Sequence, residues 1–275
     1  MAGIMVLVIR PKRTFSWSDL KELWHNQELL YFFTWRDLKI RYKQTLVGVA
    51  WAVFQPLTTM VIFTILFGMF AKIPSDNIPY PVFVFAGLLF WQLFSASLAQ
   101  ASNSLVANQN LLTKVYFPRL LLPVSSIFSN LVDFAIASVI LATLMIWYGF
   151  VPQLWGLLIL PLLIAITSIF AVGLGLSLAA LNVQYRDVKY ALPFFIQMLM
   201  FVTPVIYSPS IFGAYSWILA INPMTGVIKA ARAALFGLQP INWGLLSLSA
   251  LAACIILVIG IIYFKRTERY FADMI

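Results

Sequence analysis

The sequence predicts an all-α integral membrane protein, and three observations carry that prediction. Of the 275 residues 62% are hydrophobic and only 10% charged, and the mean hydropathy is +0.93, far from the composition of a soluble domain. The apolar residues gather in stretches near the ~20 residues that cross a bilayer's hydrocarbon core. The Lys and Arg residues fall mostly between those stretches, and mostly on one side.

Three parts follow along the chain: a leader over 1–46, a membrane domain over 47–264, and a basic tail over 265–275. Within the leader, NQELLYFFTWRDLKIRYKQT reads as an amphipathic helix from Asn26, with Asn26 placed as an N-cap. At 100° per residue Tyr31, Trp35, Leu38 and Tyr42 form one stripe and Leu29, Phe33 and Ile40 another, with Arg36, Lys39 and Lys43 between. Two stripes suit a helix lying in the headgroup layer, with lipid on one side and protein on the other. The start, MAGIMVLVIRPKR, has too short an apolar run, with its charges behind it, for a cleaved signal peptide.

Six spans are predicted: Val47–Ala71, Val82–Ala101, Leu120–Tyr148, Leu154–Leu181, Tyr190–Tyr207 and Leu245–Phe264. A further apolar region is interrupted by Asn222-Pro223. Its helical part, Pro223 to Phe236, would be only about 21 Å long at 1.5 Å per residue, so it reads as re-entrant or as a short extracytoplasmic helix before the last span. An even number of spans puts both termini on one side. Eight Lys/Arg precede Val47, two lie in 102–119, two in 182–189 and three after Phe264, against Lys72, Lys229 and Arg232 opposite. The positive-inside rule then makes both termini cytoplasmic. The net charge of +9 is thus a topology signal spread over four pieces, which argues against nucleic acid as a partner.

Chemistry-bearing residues are few. His25 is the single histidine, so neither a histidine metal cluster nor a His-dependent triad is available, and no metal site is expected. No phosphate-cradling GxxxxGK[ST] occurs, so ATP, if used, binds another chain. Gly173, Gly175 and Ser177 lie in an apolar span, where small residues allow close helix packing. Cys254, the lone cysteine, is expected to pack inside the last span. Asp133 alone is ionisable well inside a span. Such an acid is a functional candidate by default. It has no charged mate in another span, and a hydrogen bond to a neighbouring Ser, Thr or Asn is the expected role.

The loop QNLLTKVYFPRLLLP, Gln109–Pro123, carries the sharpest signal. It sets Leu112, Val115 and Tyr116 at helical spacing beside Lys114, then stops at Phe117-Pro118 ahead of Arg119. That is a small docking surface at the membrane face, and it implies an aqueous partner.

In order along the chain, TWRDLKIRYKQTLVGVAWAVFQPL, NLLTKVYFPRLLLP, LNVQYRDVKYALPFFIQ and PVIYSP with NPMTGVIKAARAALFG resemble the permease subunit of type-2 ABC exporters. The likeness is narrower to those that move lipid-linked polysaccharides such as O-antigen, capsule or teichoic acid. It implies a non-enzymatic subunit of a bacterial inner-membrane exporter, working as a dimer with two ATP-binding subunits that hold ATP and Mg. This chain would hold no cofactor. The resemblance implies that residues 26–43, with Trp35 and Arg36, form an interface helix. It makes Asn110–Arg119 a coupling helix, presenting Asn110, Leu112, Lys114, Val115, Tyr116, Phe117 and Arg119, and places Arg186 and Asp187 beside the ATPase. The first and fifth spans would line the channel. Trp51, Gln55 and Thr59 share a face of the first, with Thr58 adjacent, and the fifth carries Gln197, Thr203 and Tyr207. Amides and hydroxyls among aromatics suit sugar rings. Other readings stay open: a related exporter of lipids or drugs, an ion-coupled carrier built on Asp133, or a membrane-embedded transferase.

Overall fold

A computed structural model of the chain describes residues 24–43, 50–115, 117–152, 154–269 and 271. The described elements are helices. α1 is Gln27–Lys43, α2 Ala50–Phe63 with a π-helical continuation Thr64–Phe70, α3 Tyr80–Ala107, and α4 Gln109–Lys114. Then come α5 (Leu121–Trp147), α6 (Leu154–Gln184), α7 (Val188–Val202), a 3-10 turn Pro209–Tyr215, α8 (Ser216–Leu219), α9 (Pro223–Phe236) and α10 (Trp243–Glu268).

α3 is the post around which the rest packs. Of its most apolar stretch 78% is buried, against 11% for α2. It lies against α5 and α6 most extensively, and α6 in turn lies against α10. The α6–α10 crossing is close because both helices present glycine there. A Cβ on Gly260 would sit 2.1 Å from the Gly173 carbonyl oxygen, and one on Gly173 would sit 2.6 Å from the Leu257 nitrogen. Gly175 likewise admits Ala101 of α3. The small residues of the fourth apolar segment are therefore packing surface, as their setting suggests.

Among the described residues five helices are long and apolar enough to span a bilayer: α2 with its continuation, α3, α5, α6 and α10. The predicted fifth span is shorter than expected. It ends at Val202, and at 15 residues α7 covers about 22 Å. The cause is local: Thr203 precedes Pro204, and proline forces the residue before it out of the helical region, here to φ −84°, ψ 136°.

α9 runs over the residues expected of it. The Asn222 side chain accepts from the Met224 N–H, Pro223 stands in the first turn, and Gly237 closes the helix at φ 66°. It is almost wholly enclosed, between α3, α6 and α10. Cys254, expected to pack inside, is instead exposed on α10, where Ala253 and not Cys254 is buried.

Candidate functional site

The expected docking residues gather at one end of the bundle. α4 follows directly on α3, with the Asn108 carbonyl accepting from Leu111 and Leu112 N–H at 3.0 and 3.1 Å. It ends at Lys114, since Val115 is extended at φ −132°, ψ 134°. The expected helix to Arg119 is thus cut to six residues. The β-branched Val115 and the approach to Pro118 both favour extended backbone there. Asn110, Thr113, Lys114 and Val115 are exposed, while Leu112 is half-buried against the protein. Leu112, Thr113, Lys114 and Val115 rim a hollow of about 210 Å³ whose wall continues to Phe117 and Arg119. Tyr116 lies outside the described residues.

Beneath this surface is an apolar cluster joining four parts of the chain. Phe33 of α1 meets Phe117 with ring centres 5.4 Å apart, alongside Leu121, Leu176, Val183, Phe264 and Phe271. Phe117 is therefore an anchor and not a contact surface, being 7% exposed. Arg119 also turns inward. Its Nη1 donates to the Glu268 carbonyl at 2.5 Å, and its guanidinium lies 5.8 Å from the Phe271 ring. The last carbonyls of a helix lack intrahelical donors, and Arg119 supplies one to α10. Arg186 and Asp187 are exposed in the turn between α6 and α7, with no ion pair between them among the described residues.

On α1 the exposed face carries Tyr31, Phe32, Trp35 and Ile40, and the buried face Phe33. Helix formation starts after Asn26, whose carbonyl accepts from Leu29 and Leu30 N–H. Arg36 pairs with Asp37 at 2.8 Å and its guanidinium lies 5.2 Å from the Phe33 ring, so both its charges and its stem stay local.

The far end of α1 holds what sequence reading missed. Asp133 has a basic mate after all: Arg41 forms an ion pair with it, and the Tyr42 hydroxyl donates to its other oxygen. Arg41 also donates to Asn130 Oδ1 at 3.2 Å, and Asn130 donates to Gln100 at 3.1 Å and Ser97 at 3.3 Å on α3. Burial first, then the Asp133 hydrogen bond and charge, push the Tyr42 phenol up to about 12, so it remains a donor. The mate went unseen because it comes from the leader and not from another span. Leu121 and Asp133 are about 18 Å apart along α5, so α1 runs beside α5 from the Phe117 cluster to Asp133.

The expected channel residues divide. Trp51 and Gln55 are exposed on one side of α2, where Trp51 stacks on Phe54 at 5.6 Å. Thr58 and Thr59 are half-buried, their hydroxyls donating to the Phe54 and Gln55 carbonyls at 2.8 and 2.9 Å. Gln197 is exposed on α7. Thr203 is corrected: it is fully buried, its hydroxyl accepting from Asn222 at 2.8 Å, so it faces protein and not an open surface. Tyr207 is half-buried, its hydroxyl 3.1 Å from the Phe201 and Val202 carbonyls. Among the described residues no three His, Cys, Asp or Glu side chains converge to hold a metal.

Fold and composition together define a multi-pass, all-α membrane protein, with the expected docking residues at one end. The chain belongs to the ABC-2 type transporter family, whose pattern it matches over residues 28–236. It is 30% identical over 256 residues to the O-antigen export system permease protein RfbA of Myxococcus xanthus, covering 91% of this chain and 97% of that one. To the protein of the same name from Klebsiella pneumoniae it is 29% identical over 252 residues, 90% of this chain and 95% of the relative. To the polysialic acid transport protein KpsM of Escherichia coli it is 25% identical over 239 residues, 85% and 91% of the two chains.

Proposed function

We propose that this chain is the membrane-spanning subunit of an ATP-driven exporter of O-antigen-type, lipid-linked polysaccharide in a bacterial inner membrane. The observation that carries the reading is the nearly full-length match to O-antigen export permeases, in a chain whose docking elements converge at one end. Both termini are cytoplasmic and the basic end faces the cytoplasm. ATP and Mg bind two separate subunits, which sit under α4 and the Arg186–Asp187 turn. Their closing and opening moves α4 and α1, and the Phe33–Phe117 contact passes the motion into the bundle. A second copy completes the channel. Its support is the pair of exposed amides, Gln55 on α2 and Gln197 on α7, which hydrocarbon would leave without hydrogen-bond partners. Those two amides, with Trp51, line the path. The Asp133–Arg41 pair favours this reading over an ion-coupled carrier, because the acid is held by a structural partner.

The test is complementation. Co-expression with the ATP-binding subunit of an O-antigen exporter, in a host lacking its own export permease, is expected to restore surface polysaccharide. Vesicles driven by a proton gradient without ATP do not export. Uphill export without any nucleotide-hydrolysing subunit would overturn the reading.

A further inference from the structure

At the end opposite α4 a second hollow lies inside a single chain, away from the faces of α2 and α7. It has a volume of about 180 Å³ and is lined by Asp76, Ser208, Ser210, Lys229, Arg232 and Gln239, with Ile78 and Leu238 among its apolar walls. That is far more than the roughly 10–15 Å³ one water needs, and less than the ~300–1,000 Å³ of sites that enclose a drug-sized ligand. One ring fits.

The walls are built and rigid. Arg232, 7% exposed, donates to the carbonyls of Phe83 at 3.2 Å, Pro204 at 2.8 Å and Val205 at 2.6 Å, and its guanidinium lies 3.5 Å from the Phe83 ring. A Cβ on Gly87 would come within 2.7 Å of that guanidinium, so glycine makes its room. Opposite, Asp76 stands at φ 53° and accepts from Ser208 at 2.5 Å and Ser210 at 3.2 Å. A carboxylate has about four lone-pair sites, so two remain open. Lys229 is half-buried and has no hydrogen bond or ion pair among the described residues, which leaves its three donors free.

We propose that this hollow binds a single sugar ring of the glycan on the side where it emerges. The inference rests on the export reading for the origin of the sugar. An acceptor-only carboxylate, a donor-only ammonium, hydroxyls and an amide around one small space match a ring of hydroxyls that both donate and accept. The carboxylate disfavours a bare phosphate, which the two cations alone would attract. Aliphatic walls meet the ring's C–H face.

The experiment uses the full permease–ATPase complex in nanodiscs and saturation-transfer NMR with methyl glucoside, galactoside, mannoside and rhamnoside. At least one glycoside receives saturation. Asp76→Asn and Lys229→Gln each weaken its binding about tenfold, the loss of one charge-assisted hydrogen bond. Leu238→Trp, which fills the hollow, abolishes it and guards against a variant that fails to fold. No transfer from any glycoside, transfer unchanged in all three variants, or displacement by millimolar inorganic phosphate overturns the proposal. Surface polysaccharide is scored for the same complexes. Export without glycoside binding removes the sugar site alone; glycoside binding in a complex that exports nothing removes the export reading and leaves the site.

Discussion

The two ends of the bundle hold their polar groups in opposite ways. At the α4 end Lys114, Arg186 and Asp187 stay exposed, and the fold is closed beneath them by aromatic rings. At the other end polar side chains are themselves the closure: Arg232 binds three carbonyls, Tyr80 donates to the Ile206 carbonyl at 2.7 Å, and Asn222 reaches Thr203. The difference teaches where change is tolerated. A greasy joint with exposed charges above it tolerates change, whereas buried side chains hydrogen-bonded to main chain in low dielectric resist displacement.

That contrast is easiest to break at Arg232. Arg232→Met leaves the buried Pro204 and Val205 carbonyls without donors, each costing about 1–3 kcal/mol, so the protein is expected to lose about 2–6 kcal/mol. A large fall in the thermal midpoint in detergent checks this, and Lys is expected not to rescue, since it cannot reproduce the planar fork. A midpoint equal to wild type would dissolve the contrast. Next in size is Gly260→Val, an overpacking change expected to cost about 1–3 kcal/mol by pushing α10 off α6, read as lost monodispersity.

The Arg41–Asp133 pair is intermediate, both side chains being roughly a quarter exposed. Arg41→Ala is expected to cost about 1 kcal/mol, between the surface and buried limits, and to speed proteolysis of the leader. The swap Arg41→Asp with Asp133→Arg should recover part of it. Purely additive losses would mean that the pair does not hold α1. The smallest stability effect belongs to Lys114→Glu, within about 0.5 kcal/mol, yet ATPase copurification should fall. Arg119→Glu sharpens the point: because Arg119 binds the Glu268 carbonyl, it should lower the thermal midpoint as well.

How much of this was legible follows the same division. Apolar run length, Asn222-Pro223 and Gly237 mark α9 to the residue, because caps and helix breakers act locally. Phe117-Pro118 marks the end of the loop after α4, though α4 is shorter than spacing suggests. What spacing cannot reveal is which side chains from remote segments meet. Asp133 shows no mate in the sequence because Arg41 lies 92 positions upstream, in the leader and not in another span. Arg232 reads only as an outer charge, because its partners are main-chain carbonyls, which carry no sequence signature. The shortened α7 was readable, since Pro204 was in plain view and hydropathy outweighed it.

The contact of Gly173 with Gly260 has one more consequence. With main chain resting on main chain, α6 and α10 have no side-chain cushion along which to slide. They are therefore expected to move as a single beam, which leaves the sparsely buried α2 and the short α7 as the elements with room to shift.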